Sequence, residues 1–312
     1  MEVKRRTARS LVSKLSSVSE QTRTEALCEL RLMTKHDAES RSLIAEAGAI
    51  PYLAETLYSP SPIPQENASA TLLNLSISTR GPLMATRGLL DAISHVLHHP
   101  SSPDALQSAA ATIFSLLTVE DYRPMIGAKR DIIYALINIL RTSNSPPRSI
   151  KDALKALFGI SLYPLNRSTI IELGAVPALF TLVVKDGRIG IVEDTTAVIA
   201  QIAGCEESGD AFRRVAGVGV LVDLLDPSTG ASARTKENAV SALLNLVQCG
   251  GELVAGDVRD LGLAVFDAIA DVAENGSTKG KSKAAALLKV LDEEIDRWSR
   301  ETRFGSHIIR SF

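Results

Sequence analysis

A short stretch of sequence recurs along the chain at nearly constant spacing. "ENASATLLNL" begins at Glu66, and "ENAVSALLNL" begins at Glu237 with the same glutamate, asparagine and leucine positions. Aligned on the Leu-Asn-Leu asparagine, a position that we call the rung, weaker copies follow one another every 41 to 44 residues. A period of this length is typical of stacked helical repeats in which each repeat packs on its neighbours. The rungs are Arg31, Asn74, Ser115, Gly159, Gln201, Asn245 and Lys289.

A second signal marks a turn inside the repeat. "AEAGAIPYL" around Gly48, "IELGAVPAL" around Gly174 and the weaker "RVAGVGVLV" around Gly217 each join the end of a helix to a new apolar helix. Glycine accepts the left-handed backbone that ends a helix, and a proline three residues later suits the first turn of the next one. The segment "AKRDIIYALINIL" lacks this turn. Proline-rich stretches such as "SPSPIP" then separate the second helix from a third.

These signals predict an all-α fold, a right-handed armadillo-repeat superhelical solenoid of about seven three-helix repeats with an atypical first and last repeat. We expect a short basic N-terminal segment at residues 1–6 and a solenoid at residues 7–296 without an internal boundary. A C-terminal helix extension and tail at residues 297–312 is expected either to cap the last repeat or to bind a partner.

Composition excludes several classes of function. The 312 residues carry 34 basic and 36 acidic side chains, and this net charge of -2 gives no overall positive field that would favour a nucleic acid partner. No apolar run approaches the about 20 residues needed to span a bilayer, so no transmembrane segment is expected. The three cysteines are widely separated, which favours reduced thiols in the cytoplasm, the nucleus or both.

The third helix is predicted to carry a polar stripe beside its apolar face. In an armadillo solenoid the third helices line the concave groove, so this stripe is expected to face a protein or peptide partner. An asparagine amide suits an extended peptide backbone, but the same side chain could instead cap or brace an adjacent helix. For the central charged residues, a solvated surface is the alternative. The predicted partner-binding groove consists of Asn67, Thr71, Asn74, Ser115, Asp152, Lys155, Asp194, Gln201, Asn238 and Asn245.

Nothing in the sequence predicts catalysis, a cofactor or a metal. "GSTKGKS" from Gly276 ends like a phosphate-binding loop, but its glycines are one residue too close and it follows a helix, which favours a solvated loop. "HVLHHP" places imidazoles three or four residues apart, yet no Cys, Asp or Glu cluster completes a metal site. Cys205 and Cys249 occupy equivalent repeat positions and are predicted to be small buried residues rather than nucleophiles.

Three segments carry a resemblance to a known family. "LVSKLSSVSEQTRTEALCELRLMTKHDAESRSLIAEAGAIPYL", "QENASATLLNLSIS" and "ENGSTKGKSKAAALLKVL" resemble the armadillo domains of plant U-box ubiquitin ligases, and the similarity extends over nearly the whole chain. The resemblance implies a non-catalytic scaffold that recruits a partner, such as a ubiquitination substrate or a signalling protein. Because the first repeat begins near Thr7, ligase activity is expected only if a U-box is supplied elsewhere.

Two alternative functions are also considered. The chain could be the substrate-recognition part of a U-box ligase whose U-box is missing from this sequence. A nuclear import adaptor is less similar, because the tryptophan expected four residues before each rung asparagine is replaced by Ala70 and Ser241.

Overall fold

The computed structural model describes residues 2–292, and all regular secondary structure in that part of the chain is helical. The chain forms two compact units that meet in sequence between Asn166 and Arg167, and each unit is described by itself. This boundary falls between two repeats, immediately after the third helix and connecting turn of the repeat that carries Gly159.

Unit 1 contains one helix pair followed by three complete repeats. The helix pair is α1 (Glu2–Lys14) and α2 (Glu20–His36), so the first repeat lacks a short first helix. The three complete repeats are α3 (Ala38–Glu46), α4 (Ala49–Thr56) and α5 (Pro62–Ser76); α6 (Arg80–Ala85), α7 (Leu89–His98) and α8 (Pro103–Leu117); and α9 (Tyr122–Gly127), α10 (Arg130–Arg141) and α11 (Pro147–Ser161).

Unit 2 continues the same three-helix pattern with one fusion. Gly251, with φ 55° and ψ −145°, interrupts α17, so the residues before it form a third helix and those after it form the next first helix. The helices of unit 2 are α12 (Arg167–Glu172), α13 (Ala175–Lys185), α14 (Ile189–Ile202), α15 (Ser208–Arg213), α16 (Gly217–Asp223), α17 (Ala233–Arg259), α18 (Leu263–Asn275) and α19, which spans residues 278–292.

Every rung lies on a third helix, as the repeat period predicts. The third helices pack side by side in the order α2, α5, α8, α11 in unit 1, and α14 packs on α17 in unit 2. Leu72 and Leu75, on either side of the Asn74 rung, are almost completely buried between them. Pro62, Pro103 and Pro147 stand at the starts of α5, α8 and α11, which confirms the predicted proline-rich connections.

The turns between first and second helices confirm two predicted glycines and correct a third. Gly48 and Gly174 adopt the left-handed backbone, with φ of 86° and 81°. Near Gly217 the prediction is wrong by one residue, because Ala216 takes the left-handed position with φ 51°. A Cβ on Gly217 would lie 2.7 Å from Cζ of Phe180. Close packing against this ring therefore requires a glycine at position 217. Ala216 then adopts the strained left-handed conformation of the turn.

The basic N-terminal segment is helical. Residues 2–6 form the first part of α1, and the Lys4 Nζ lies 2.6 Å from Asp37 and 2.8 Å from Glu39. The hydrogen bond from Lys4 is the main cause that lowers the pKa of Asp37 to about 2. These contacts attach the start of α1 to α3. The predicted extension and tail at residues 297–312 lie outside the described residues.

Helix α17 is long and apolar enough to cross a membrane by composition, with a mean hydropathy of 1.3 in its most apolar window. Half of that window is buried inside the protein, and the helix is broken at Gly251. Both features are those of a core helix in a repeat protein.

Candidate functional site

We define the third-helix face of each unit as the surface formed by its rungs and by the predicted groove residues up to two turns before them. On this face the rung amides bond to the preceding third helix. Asn245 Nδ2 donates to the carbonyl of Ala200 at 2.8 Å, and Asn74 Nδ2 donates to Thr34 Oγ1 at 3.1 Å. The rung asparagines therefore brace adjacent helices, which is the alternative that the sequence left open.

The asparagines two turns before the rung are bonded in the same way. Asn238 Nδ2 donates to the carbonyl of Glu193 and to Thr196 Oγ1, both at 3.1 Å. Asn67 is buried, and its Nδ2 donates to the carbonyl of Ile63 on its own helix at 2.9 Å and to Cys28 Sγ on α2 at 3.4 Å. Thr71 is completely buried, and its hydroxyl donates to the backbone of its own helix. The structure therefore places Asn67 and Thr71 in the packing between helices and not on a surface.

A serine–glutamate contact between successive repeats was not found from the sequence. The serine that caps the start of one third helix also donates to a glutamate eight residues before the rung of the preceding third helix. Ser102 Oγ lies 3.2 Å from Glu66, and Ser232 Oγ lies 2.7 Å from Glu193. A third contact joins Ser277 to Glu237. The repeated glutamate was visible in the opening motif, but its partner lies some 40 residues away in sequence.

Arginines at an equivalent sequence position in four repeats were also missed. Arg80 on α6 donates its Nε to the carbonyl of the Ser115 rung at 2.9 Å, and Arg167 on α12 donates to the side chain of the Gln201 rung at 3.2 Å. A guanidinium near the last carbonyls of a helix is favourable. The spacing from arginine to rung varies between 33 and 36 residues, which hides the pattern from a fixed-period search. These arginines are Arg41, Arg80 and Arg123 in unit 1 and Arg167 in unit 2; Arg41 and Arg123 donate instead to the preceding third helix, at the carbonyls of Thr34 and Leu117.

The central part of the face in unit 1 joins α8 to α11 through side chains. Gln107 Nε2 donates to Asp152 at 2.6 Å, and Lys155 Nζ lies 5.6 Å from the centre of the Phe114 ring. All four side chains are half-buried. Unlike the rung amides, Asp152 and Lys155 are thus held by contacts that a binding partner could replace without breaking a backbone interaction.

The Gly159 rung has a packing role. A Cβ at this position would lie 2.9 Å from Cβ of Leu117, so the missing side chain lets α11 approach α8 closely. In unit 2, Asp194 and Gln201 are half-buried on α14, about two turns apart. All the predicted groove residues therefore lie on third helices, but Asn67 and Thr71 are buried in the packing.

Among the described residues, the histidines of "HVLHHP" form a cluster of rings. His95 lies between Tyr58 and His99, with ring centres 4.8 and 5.2 Å away, and burial followed by repulsion from His99 lowers its pKa. Among residues 2–292, no group of three or more His, Cys, Asp or Glu side chains is arranged to hold a metal ion. Ser277 caps the start of α19 by accepting from the amide of Gly280, so the end of "GSTKGKS" is a helix start.

The cysteines are free thiols, but the prediction that Cys205 and Cys249 are buried is wrong, because Cys205 is half-buried and Cys249 is exposed. Burial, followed by a hydrogen bond to Glu207, raises the pKa of Cys205 to about 11. The thiolate that a nucleophile needs is therefore disfavoured at Cys205.

Comparison with known proteins identifies relatives along nearly the whole chain. Residues 8–302 match the family of the plant U-box protein ARM repeat region. U-box domain-containing protein 19 of Arabidopsis thaliana is 32% identical over 297 residues, aligning 93% of this chain with 43% of that protein. U-box domain-containing protein 1 of Medicago truncatula is 34% identical over 288 residues, aligning 92% of this chain with 40% of that protein. The chain spans less than half the length of these relatives.

Solved structures show the same fold. An engineered protein aligns with a TM-score of 0.80 at 20% identity, over 91% of this chain and 68% of that chain. A designed armadillo repeat protein in complex with the peptide (KR)4 aligns with a TM-score of 0.50 at 20% identity, over 91% of this chain and 98% of that chain. This likeness confirms the predicted all-α armadillo solenoid and concerns the fold alone.

Proposed function

The chain belongs to the family of plant U-box protein ARM repeat regions, and from that premise we propose that it recruits a protein partner on the third-helix face. The observation that carries this proposal is the pair of contacts between α8 and α11. Asp152 and Lys155 are half-exposed charges held by the side chains of Gln107 and Phe114, and the fold's backbone bonds do not depend on them.

Armadillo folds can hold a peptide, since a designed neighbour was solved with (KR)4 bound. The neighbour supports a binding role for the fold, and the partner of this chain depends on its own side chains. A non-catalytic scaffold is the function that these observations favour.

A charge swap tests the third-helix face without changing the net charge. The variant Asp152→Lys with Lys155→Glu reverses both charges on α11. The matched control is Asp91→Lys with Lys129→Asp, which swaps an exposed ion pair with a 2.6 Å separation elsewhere in unit 1. Both variants are first checked by circular dichroism, and partners are then captured from plant extract by the wild type and by each variant.

Partners lost with the α11 swap but kept with the control support the proposal. If both swaps retain the same partners, the third-helix face of unit 1 is not the recruiting surface. Substitutions at Asn74 or Asn245 are less informative, because both side chains brace neighbouring helices.

A second candidate function is substrate recognition for a U-box ligase. It is favoured by the alignment of 93% of this chain with only 43% of a U-box protein, so the matched part corresponds to the repeats. A fusion of the chain to the U-box of that relative should then ubiquitinate a captured partner in a reconstituted reaction. An unmodified partner under conditions in which the fused U-box modifies itself would contradict this function.

A further inference from the structure

Three cationic side chains contact one short segment of α8, residues 114–117. Arg80 reaches it from α6, with its Nε 2.9 Å from the carbonyl of Ser115. Lys155 reaches it from α11, with its Nζ 5.6 Å from the centre of the Phe114 ring. Arg123 reaches it from α9, with its Nε 3.4 Å from the carbonyl of Leu117. Three different helices thus deliver positive charge to the same turn.

The acidic side chains around this turn only partly balance it. Asp152 accepts from Gln107, and Glu120 lies 3.4 Å from Arg123 but is 85% exposed. We call Arg80, Phe114, Ser115 and Lys155 the Phe114 site. Its members are half-buried, so the site combines a partly exposed aromatic residue with two partly exposed cationic residues.

We propose that the Phe114 site binds an acidic segment of a protein partner, with Asp or Glu carboxylates on Arg80 and Lys155 and an apolar side chain on Phe114. The proposal rests on the proposed function and names the chemistry of the partner at that surface. The Arg80 guanidinium has five N–H donors, and the Ser115 bond uses one of them. A carboxylate could therefore be added without displacing the contact that braces α8.

Charge decides between acidic and basic partners. A basic peptide would place like charges beside Lys155 and Arg80, and such juxtaposition is costly at an interface. An acidic segment would instead neutralise a lysine that is already partly desolvated by the Phe114 ring. The expected preference is thus opposite to that of the designed protein bound to (KR)4.

The test uses the whole chain and randomised twelve-residue peptides displayed on phage. We expect selected peptides to contain Asp or Glu next to an apolar residue and to protect α8 and α11 from hydrogen exchange. We expect Lys155→Glu to lower the affinity for a selected peptide by about tenfold, measured by fluorescence anisotropy. The loss of affinity should be smaller at high salt. Lys155→Met keeps a long apolar stem over Phe114 and provides a second variant if the charge reversal disturbs folding.

The matched control is Arg87→Glu, an exposed position in the turn after α6 with the same change of charge. It should leave the affinity unchanged. Basic or neutral peptides that protect α8 and α11 would overturn the acidic preference while leaving the proposed function intact. If neither peptides nor captured partners protect any third helix, the proposed function itself fails.

Discussion

Asn74 on α5 donates its amide to the hydroxyl of Thr34 on α2, 3.1 Å away and 40 residues earlier in sequence. Thr34 is completely buried, so removing the amide leaves its hydroxyl without this donor inside the protein. We predict that Asn74→Ala lowers the free energy of unfolding by about 1 kcal/mol, measured by urea denaturation.

The control for this prediction is Arg87→Ala, an exposed change in the same unit that should stay within about 0.5 kcal/mol of the wild type. Equal stability of the wild type and Asn74→Ala would show that the amide is not a brace.

The sequence predicted where this asparagine lies but not what it contacts. A period of 41 to 44 residues fixes one helical position per repeat, and the neighbouring leucines fix which side of the helix is apolar. A polar stripe at the edge of that side touches both solvent and the next helix, so its spacing alone cannot distinguish a binding residue from a brace. Arg80 was missed for a related reason, because its partner Ser115 lies 35 residues away.

Gly159 occupies a rung because α8 and α11 approach each other closely there. We predict that Gly159→Ala destabilises the protein by about 1–3 kcal/mol, since the new Cβ would overlap with Leu117 and force a backbone shift. Gly81→Ala is the control, because a Cβ at that helical position meets no atom within 4 Å. The melting temperatures of the two variants should differ clearly. Similar melting temperatures would mean that the gap between the helices tolerates a methyl group.

Ala216 and Gly217 give a paired prediction. Ala216→Gly should stabilise the protein by about 0.5–1 kcal/mol, because alanine is strained at φ 51°. Gly217→Ala should destabilise it by about 1–3 kcal/mol, because the Cβ would meet the Phe180 ring. Chemical denaturation measures both. If Ala216→Gly were instead destabilising, Ala216 would not be the left-handed residue of this turn.

The same turn shows why the position of a backbone feature is harder to predict than its existence. "RVAGVGVLV" signals a helix end and a new helix, which the structure contains. Which residue turns left-handed depends on Phe180, more than 30 residues earlier, because its ring leaves no room for a side chain at position 217. That contact cannot be predicted from the residues next to the turn.

His95 provides a prediction about pH. Burial and repulsion from His99 and His98 hold its pKa below the ordinary value of 6.5. Because the folded protein therefore resists protonation at this ring, the contribution of His95 to stability is complete above pH 6.5 and is lost as the pH falls through the lowered pKa. We predict that His99→Gln raises the pKa of His95 without restoring it fully, since burial is the larger cause and remains.

An NMR titration of the imidazole resonances measures this shift directly. His36→Gln serves as the control, because His36 lies at the end of α2 and does not contribute to the lowered pKa of His95. It should leave the titration of His95 unchanged. If His99→Gln also leaves it unchanged, repulsion from His99 has no part in lowering the pKa, and burial accounts for the effect. If His95 titrates at its ordinary value in the wild type, the cluster of rings around it is open to solvent.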